Sequence, residues 1–272
     1  MIHKICLDGR GAIAAEWNEY HVVPDEIMKK AITGQEQSAV LKSDYRIAVS
    51  SRLVNYWKET FGYTSSDHVV IPCTLNSKFN ATVFTDEDIH RQRVEEGFND
   101  TDIVMVYSGS TAGWQSLDAL GYILGKVLTK SFSYKLLFLS KEDKNITNLK
   151  SRFPGQVFNK WIRYHEVKKI LAACDYGILF REFSITNKVA SPTKFAEYLS
   201  SGLPVIISEN LGDYSDFVRK EKCGIVITES DDVLLQKPTL SEKDAAKKLA
   251  ALYFTKEANS QQYQALINFL QK

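Results

Sequence analysis

The residues best suited to hold a phosphorylated ligand cluster in SPTKFAEYLSSGLPVIIS, residues 191–208, and at the strand end just before it. Ser191 stands where a helix N-cap belongs, and Pro192 where a first helical residue belongs, since proline's missing N–H is unsatisfied there in any case. The N–H groups of Thr193 and Lys194 then face outward with the positive end of the helix dipole, which favours an anion such as phosphate. Glu197 follows one turn later, within reach of a sugar; a carboxylate accepts two hydrogen bonds from a vicinal diol. Gly202 ends the helix, and Leu203 to Ile207 re-enter a sheet. The alternative for Glu197 is an ordinary surface carboxylate, solvated or ion-paired.

Two further strand ends carry suitable residues. After IVMVYS (103–108) comes GSTAG, where Ser108, Gly109, Ser110 and Gly113 are small enough for backbone to approach a bulky ligand, or simply to make a tight turn. The stretch is neither G-x-G-x-x-G nor a P-loop. YGILF (176–180) runs straight into Arg181 and Glu182. Arg181 suits bidentate pairing with a diphosphate and Lys194 adds a point charge; an ion pair between Arg181 and Glu182 at the rim is the alternative.

Positioning these groups requires parallel strands joined by helices. The apolar runs IHKICLD (2–8), YRIAVS (45–50), HVVIP (68–72), IVMVYS, YKLLFLS (134–140), YGILF and PVIIS (204–208) alternate with longer helical patterns, as in parallel β-α-β units covered on both faces. In SLDALGYILGKVL (116–128), Leu117, Leu120, Ile123, Leu124, Val127 and Leu128 recur at helical spacing. A polar, asparagine-rich stretch after residue 72 precedes a charged helix opening near Asp86. The expected organisation is therefore a partial α/β domain over 1–80, a doubly wound domain over 81–235, and C-terminal helices over 236–272 that pack back across both.

Composition narrows the function. At 272 residues and 44% hydrophobic content the chain can bury a sizeable core, while a net charge of +1 gives no field directed at nucleic acid or an acidic membrane. The cysteines Cys6, Cys73, Cys174 and Cys223 are widely spaced with no zinc pattern, which suits reduced thiols in the cytoplasm. No apolar run approaches the ~20 residues of a membrane span.

ASPTKFAEYLSSGLPVIIS, with ACDYGILFRE before it and LGDYSDFVRKEKCGIVI after it, resembles the donor-binding half of retaining glycosyltransferases of the GT-B fold, the large family that includes sucrose synthases and many bacterial polysaccharide enzymes. YRIAVSSRLVNYWKETFGYTSSDHVVIPCTLNSKFN resembles the stretch that ends that family's first domain, and LDGRGAIAAEW a D-x-R-G segment midway through it. The resemblance implies a complete Rossmann-like C-terminal domain with a partial N-terminal one. It also implies transfer of a sugar, with retention of configuration, from a nucleotide-diphosphate sugar to a sugar, glycan or lipid-linked acceptor. Neither cofactor nor metal is expected, and a lipid-linked acceptor would bring peripheral membrane association.

Carried over by position, Arg181 and Lys194 neutralise the leaving diphosphate, backbone N–H groups from Ser191 to Thr193 hold it, Ser108, Gly109 and Ser110 border the donor, and Glu197 binds the nucleotide ribose as second glutamate of an E-x(7)-E motif. Val189 occupies the first glutamate's position. KWIRYHEV (160–167) falls where the nucleobase is met through backbone, with His165 a surface or capping residue. The chain opens at a segment expected well inside the first domain, so the family's catalytic histidine has no motif here; His3 and His21 are candidates by residue type alone. Two other readings are a nucleotide-sugar-binding module or partner subunit without the acceptor half, and a nucleotide-sugar epimerase.

Overall fold

The computed structural model describes residues 4–271, the side chain of Trp114 excepted. A small parallel sheet of order β1-β2-β3 is built from β1 (Cys6–Gly9), β2 (Tyr45–Ala48) and β3 (His68–Val70). The larger sheet, also parallel, contains β4 (Ile103–Ser108), β5 (Tyr134–Leu139), β6 (Val157–Lys160), β7 (Tyr176–Leu179), β8 (Val205–Ser208) and β9 (Gly224–Ile227). Its order, β6-β5-β4-β7-β8-β9, reverses direction between β4 and β7. At such a switch point the connections diverge to opposite faces and leave a crevice beyond the strands' carboxyl ends.

Alternation of side chains explains the double winding. Val104 and Val106 of β4 join one buried apolar cluster with Leu137, Leu139 and Phe195. Ile103, Met105 and Tyr107 join another with Leu136, Phe138 and the helix Leu117–Leu128. Both clusters need helical cover, so every residue of β4 and β5 is buried. All six apolar positions read as helical in 117–128 are buried there. The sequence pattern did not single out β6 or β9 as strands. Each is four residues at a sheet edge; β6 carries Asn159 and Lys160, while the short GIVI run of β9 follows closely on the charged stretch RKEK.

Three helices, Ile13–Glu19, Glu26–Lys42 and Ser51–Phe61, accompany the small sheet, with Trp57 buried in their shared cluster. The Leu240–Tyr253 helix packs against the Thr193–Ser200 helix. The following helix, Ser260–Leu270, reaches the small domain, where the Phe269 ring lies tilted 4.7 Å from that of Tyr45 and the Phe269 carbonyl accepts from Lys4 Nζ at 2.7 Å.

One glycine positions the crevice. A Cβ at Gly177, on β7, would overlap the ring of Tyr198, which lies flat against the strand. Tyr198 is fully buried; its hydroxyl accepts from the Ser108 N–H at 2.9 Å and donates to the Ile178 carbonyl at 3.2 Å, tying the ends of β4 and β7 together. Gly177→Ala is expected to destabilise the fold by about 3 kcal/mol, because neither strand nor ring has room to retreat. Thermal unfolding followed by circular dichroism checks this; a melting temperature equal to that of the parent chain would contradict it.

Candidate functional site

The Thr193–Ser200 helix begins one residue later than its sequence suggests. Pro192 is the N-cap, at φ −68° and ψ 123°, and no side chain caps the helix. Ser191 is engaged elsewhere: its hydroxyl accepts the Cys73 N–H at 2.9 Å and lies 2.7 Å from the Tyr214 hydroxyl, stitching the interdomain crossing to the large domain. Pro192 has no N–H to offer a ligand, and its fixed φ serves only to start the helix. Phe195 already donates to the Pro192 carbonyl at 3.0 Å. The donors this terminus leaves open to an anion are therefore the N–H groups of Thr193 and Lys194.

Glu197, one turn on, is buried, at 9% exposed, and among the described residues it makes no salt bridge. Its Oε1 accepts the Tyr164 hydroxyl at 3.3 Å, and burial raises its pKa above the ordinary carboxylate value. A solvated or ion-paired surface carboxylate is thus not what the fold makes of Glu197.

Arg181 does not pair with Glu182, which is exposed. The arginine is 8% exposed, its Nη1 donates to Asn187 Oδ1 at 3.3 Å, and its Nε is enclosed without an acceptor. Burial opposes its charge. Lys194 Nζ meets Gln115 Oε1 at 3.1 Å and sits 4.6 Å from the centre of the Tyr107 ring. The buried Arg181 and the half-buried Lys194 thus share this end of the sheet, and neither is in salt-bridge contact with a carboxylate among the described residues. An anion is the ligand such an imbalance favours.

The GSTAG loop acts less directly than its composition suggests. The Ser108 N–H is committed to Tyr198 and the Gly109 N–H to the Leu139 carbonyl at 3.2 Å, so neither is free for a phosphate. A Cβ on Gly109 would overlap the Lys194 ammonium, so this glycine makes room for the lysine. Ser110 is exposed at the rim, and its carbonyl accepts the Tyr107 hydroxyl at 2.6 Å.

Burial, then the nearby Arg181 charge, push Lys194 down to about 7, with Glu197 opposing. The folded chain therefore binds this proton less tightly than the unfolded chain, where lysine titrates near 10.5, and the contribution to stability rises with pH from about 7 toward 10.5. Melting temperature measured against pH should show that rise, and Lys194→Met should flatten it. A variant profile parallel to that of the parent would exclude Lys194 as its source.

The small domain closes one side of the crevice. A Cβ at Gly113 would lie 3.3 Å from the Tyr20 ring, Tyr20 donates to Ser184 Oγ at 2.9 Å, and Asn187 Nδ2 donates to Tyr20 Oη at 3.0 Å. Val189 is 1% exposed within the small domain's apolar cluster beside Ala12, Ala15, Val49 and Leu53. A carboxylate there would be desolvated, so this position serves the domain interface. His21 is exposed at φ +49° and His165 is exposed on the Tyr164–Ala172 helix; His3 lies outside the described residues. Gln115, Asn187, Tyr20 and Tyr164 complete the constellation. Tyr164 lies in the segment 160–167 already expected near the nucleobase, and the Ser-x-x-Asn spacing of Ser184 and Asn187 marks a short capped turn; Gln115 and Tyr20 had no such signal.

The architecture matches solved GT-B glycosyltransferases. HepE from Anabaena, solved with UDP-glucose, aligns with a TM-score of 0.73 at 15% identity over 97% of this chain and 72% of that one. The lipopolysaccharide glycosyltransferase WaaG aligns at 0.65 and 13% over 97% and 72%. Sucrose-phosphate synthase from Thermosynechococcus elongatus aligns at 0.71 and 15% over 97% and 67%. The chain thus has the GT-B fold, its two parallel sheets lying within alignments to these structures that span 97% of the chain. Residues 158–264, which include the Glu197 helix, match the family described as Glucosyltransferase 3-like, C-terminal domain. No curated protein sequence matches significantly. Among the described residues, no helix is long and apolar enough to cross a membrane.

Proposed function

We propose that this chain transfers a sugar from a nucleotide-diphosphate sugar to an acceptor with retention of configuration, in the synthesis of a polysaccharide or glycoconjugate. The observation that carries the reading is the pairing of buried Arg181 with half-buried Lys194, both without salt-bridge partners among the described residues, at the switch point between β4 and β7, one turn from the buried carboxylate of Glu197. Arg181, Lys194 and the N–H groups of Thr193 and Lys194 receive the diphosphate, and Glu197 accepts from the ribose hydroxyls. As the bond from sugar to phosphate breaks, charge accumulates on the leaving diphosphate. These groups are already oriented toward it and need not reorganise. The acceptor enters on the same face of the sugar, from the small-domain side.

HepE in complex with UDP-glucose supports a uridine donor as the first probe. Calorimetric titration with UDP, GDP, ADP and their glucose conjugates tests the reading. Saturable binding of one nucleotide series is expected; no binding by a folded chain overturns it.

A further inference from the structure

The four-residue helix Ile185–Lys188 belongs to the large domain in sequence but is clamped at both ends by the small domain. At its start, the Glu19 carboxylate accepts the N–H groups of Ile185 at 2.6 Å and Thr186 at 2.9 Å together with the Thr186 hydroxyl at 2.6 Å. Tyr20, the next residue, donates to Ser184, which is itself the side-chain cap of the same helix. Just past the helix, Val189 is seated in the small domain's apolar cluster, and its carbonyl accepts the Ser50 hydroxyl at 2.7 Å.

Asn187 sits inside this clamp, 2% exposed, and its amide orientation is dictated by its neighbours. Arg181 can only donate, so Oδ1 must face it; the Glu182 carbonyl, 3.1 Å away, can only accept, so Nδ2 must face that. The same Nδ2 also reaches Tyr20 Oη at 3.0 Å. A continuous path therefore runs from the small-domain Tyr20 through Asn187 to Nη1 of the Arg181 guanidinium, whose Nε has no acceptor among the described residues.

We infer that Asn187 is a positioning residue that couples the seating of the small domain, through Tyr20, to the aim of Arg181. The inference rests on the reading of Arg181 as a diphosphate ligand. With the domains apart, Glu19, Tyr20 and Ser50 leave their partners, Asn187 loses its fixed orientation, and the guanidinium loses a partner on its inner side. The cation then points correctly only when the acceptor side is in place, which protects the donor from hydrolysis by solvent.

The test follows the Arg181 Nε–Hε signal in nitrogen-15 spectra, assigned by its disappearance in Arg181→Lys, in parallel with turnover of UDP-glucose. Tyr20→Phe and Asn187→Ala are both expected to shift and broaden this signal while leaving in place those of Arg46 and Arg93, whose Nε groups donate to the carbonyls of Val40 and Asn99. Tyr20→Phe removes one hydroxyl and is the variant less disturbing to folding. In it, kcat for UDP-glucose is expected to fall about tenfold with KM within about twofold, the split that lost positioning produces and general destabilisation does not. An Arg181 signal unmoved by Tyr20→Phe overturns the coupling, whether or not Asn187→Ala moves it. A signal that moves in both variants of a chain that neither binds UDP nor turns over UDP-glucose upholds the positioning role and overturns the donor assignment instead.

Discussion

Arg181→Ala is expected to lower the rate of sugar transfer about a thousandfold, the upper end of what one preorganised electrostatic group contributes in a desolvated site. The expectation rests on burial: at 8% exposed, the guanidinium keeps little of the water that would weaken its attraction for a leaving diphosphate. Lysine at the same position retains the charge but not the planar fork, so Arg181→Lys should recover only part of the loss. Steady-state release of UDP from UDP-glucose, with circular dichroism confirming the fold, measures both. A loss under tenfold in the alanine variant would remove Arg181 from the reacting centre. The same substitution takes away a charge that depresses Lys194, so the lysine should titrate above about 7 in the variant.

The second large effect concerns binding. Glu197→Ala should weaken UDP binding about a hundredfold, since each of two hydrogen bonds from a vicinal diol to a carboxylate contributes roughly 1.5 kcal/mol or more. Among the described residues Glu197 makes no salt bridge and its side chain accepts from Tyr164, so truncation breaks no ion pair. Inorganic pyrophosphate is the control: its affinity should be unchanged, because it has no ribose. Equal losses for UDP and pyrophosphate would place Glu197 on the phosphate side of the site, and no loss for either would remove it from the site.

Much of the architecture was legible in the chain. Strands buried on both faces must be apolar throughout, so IVMVYS and YKLLFLS announced themselves, as did the helix with apolar residues from Leu117 to Leu128. The helix after Pro192 and its stop at Gly202, at φ +80°, were equally local, since proline and glycine act through their own backbone geometry. Residue type and order alone therefore determined the α/β class and the candidate anion site at one helix terminus.

Other features depended on segments distant in sequence. Ser191 lost its capping role to the Cys73 N–H, 118 positions away, and Val189 became part of the small domain's core. Gly109 proved to be the space into which Lys194 folds, and Arg181 turned from Glu182 to Asn187 because the Tyr20 contact holds that amide in place. Periodicity and chain stops are written within a few residues and survive in any fold that uses them. Which hydroxyl meets which N–H, and which charge is stripped of water, are decided only when the two domains close on each other.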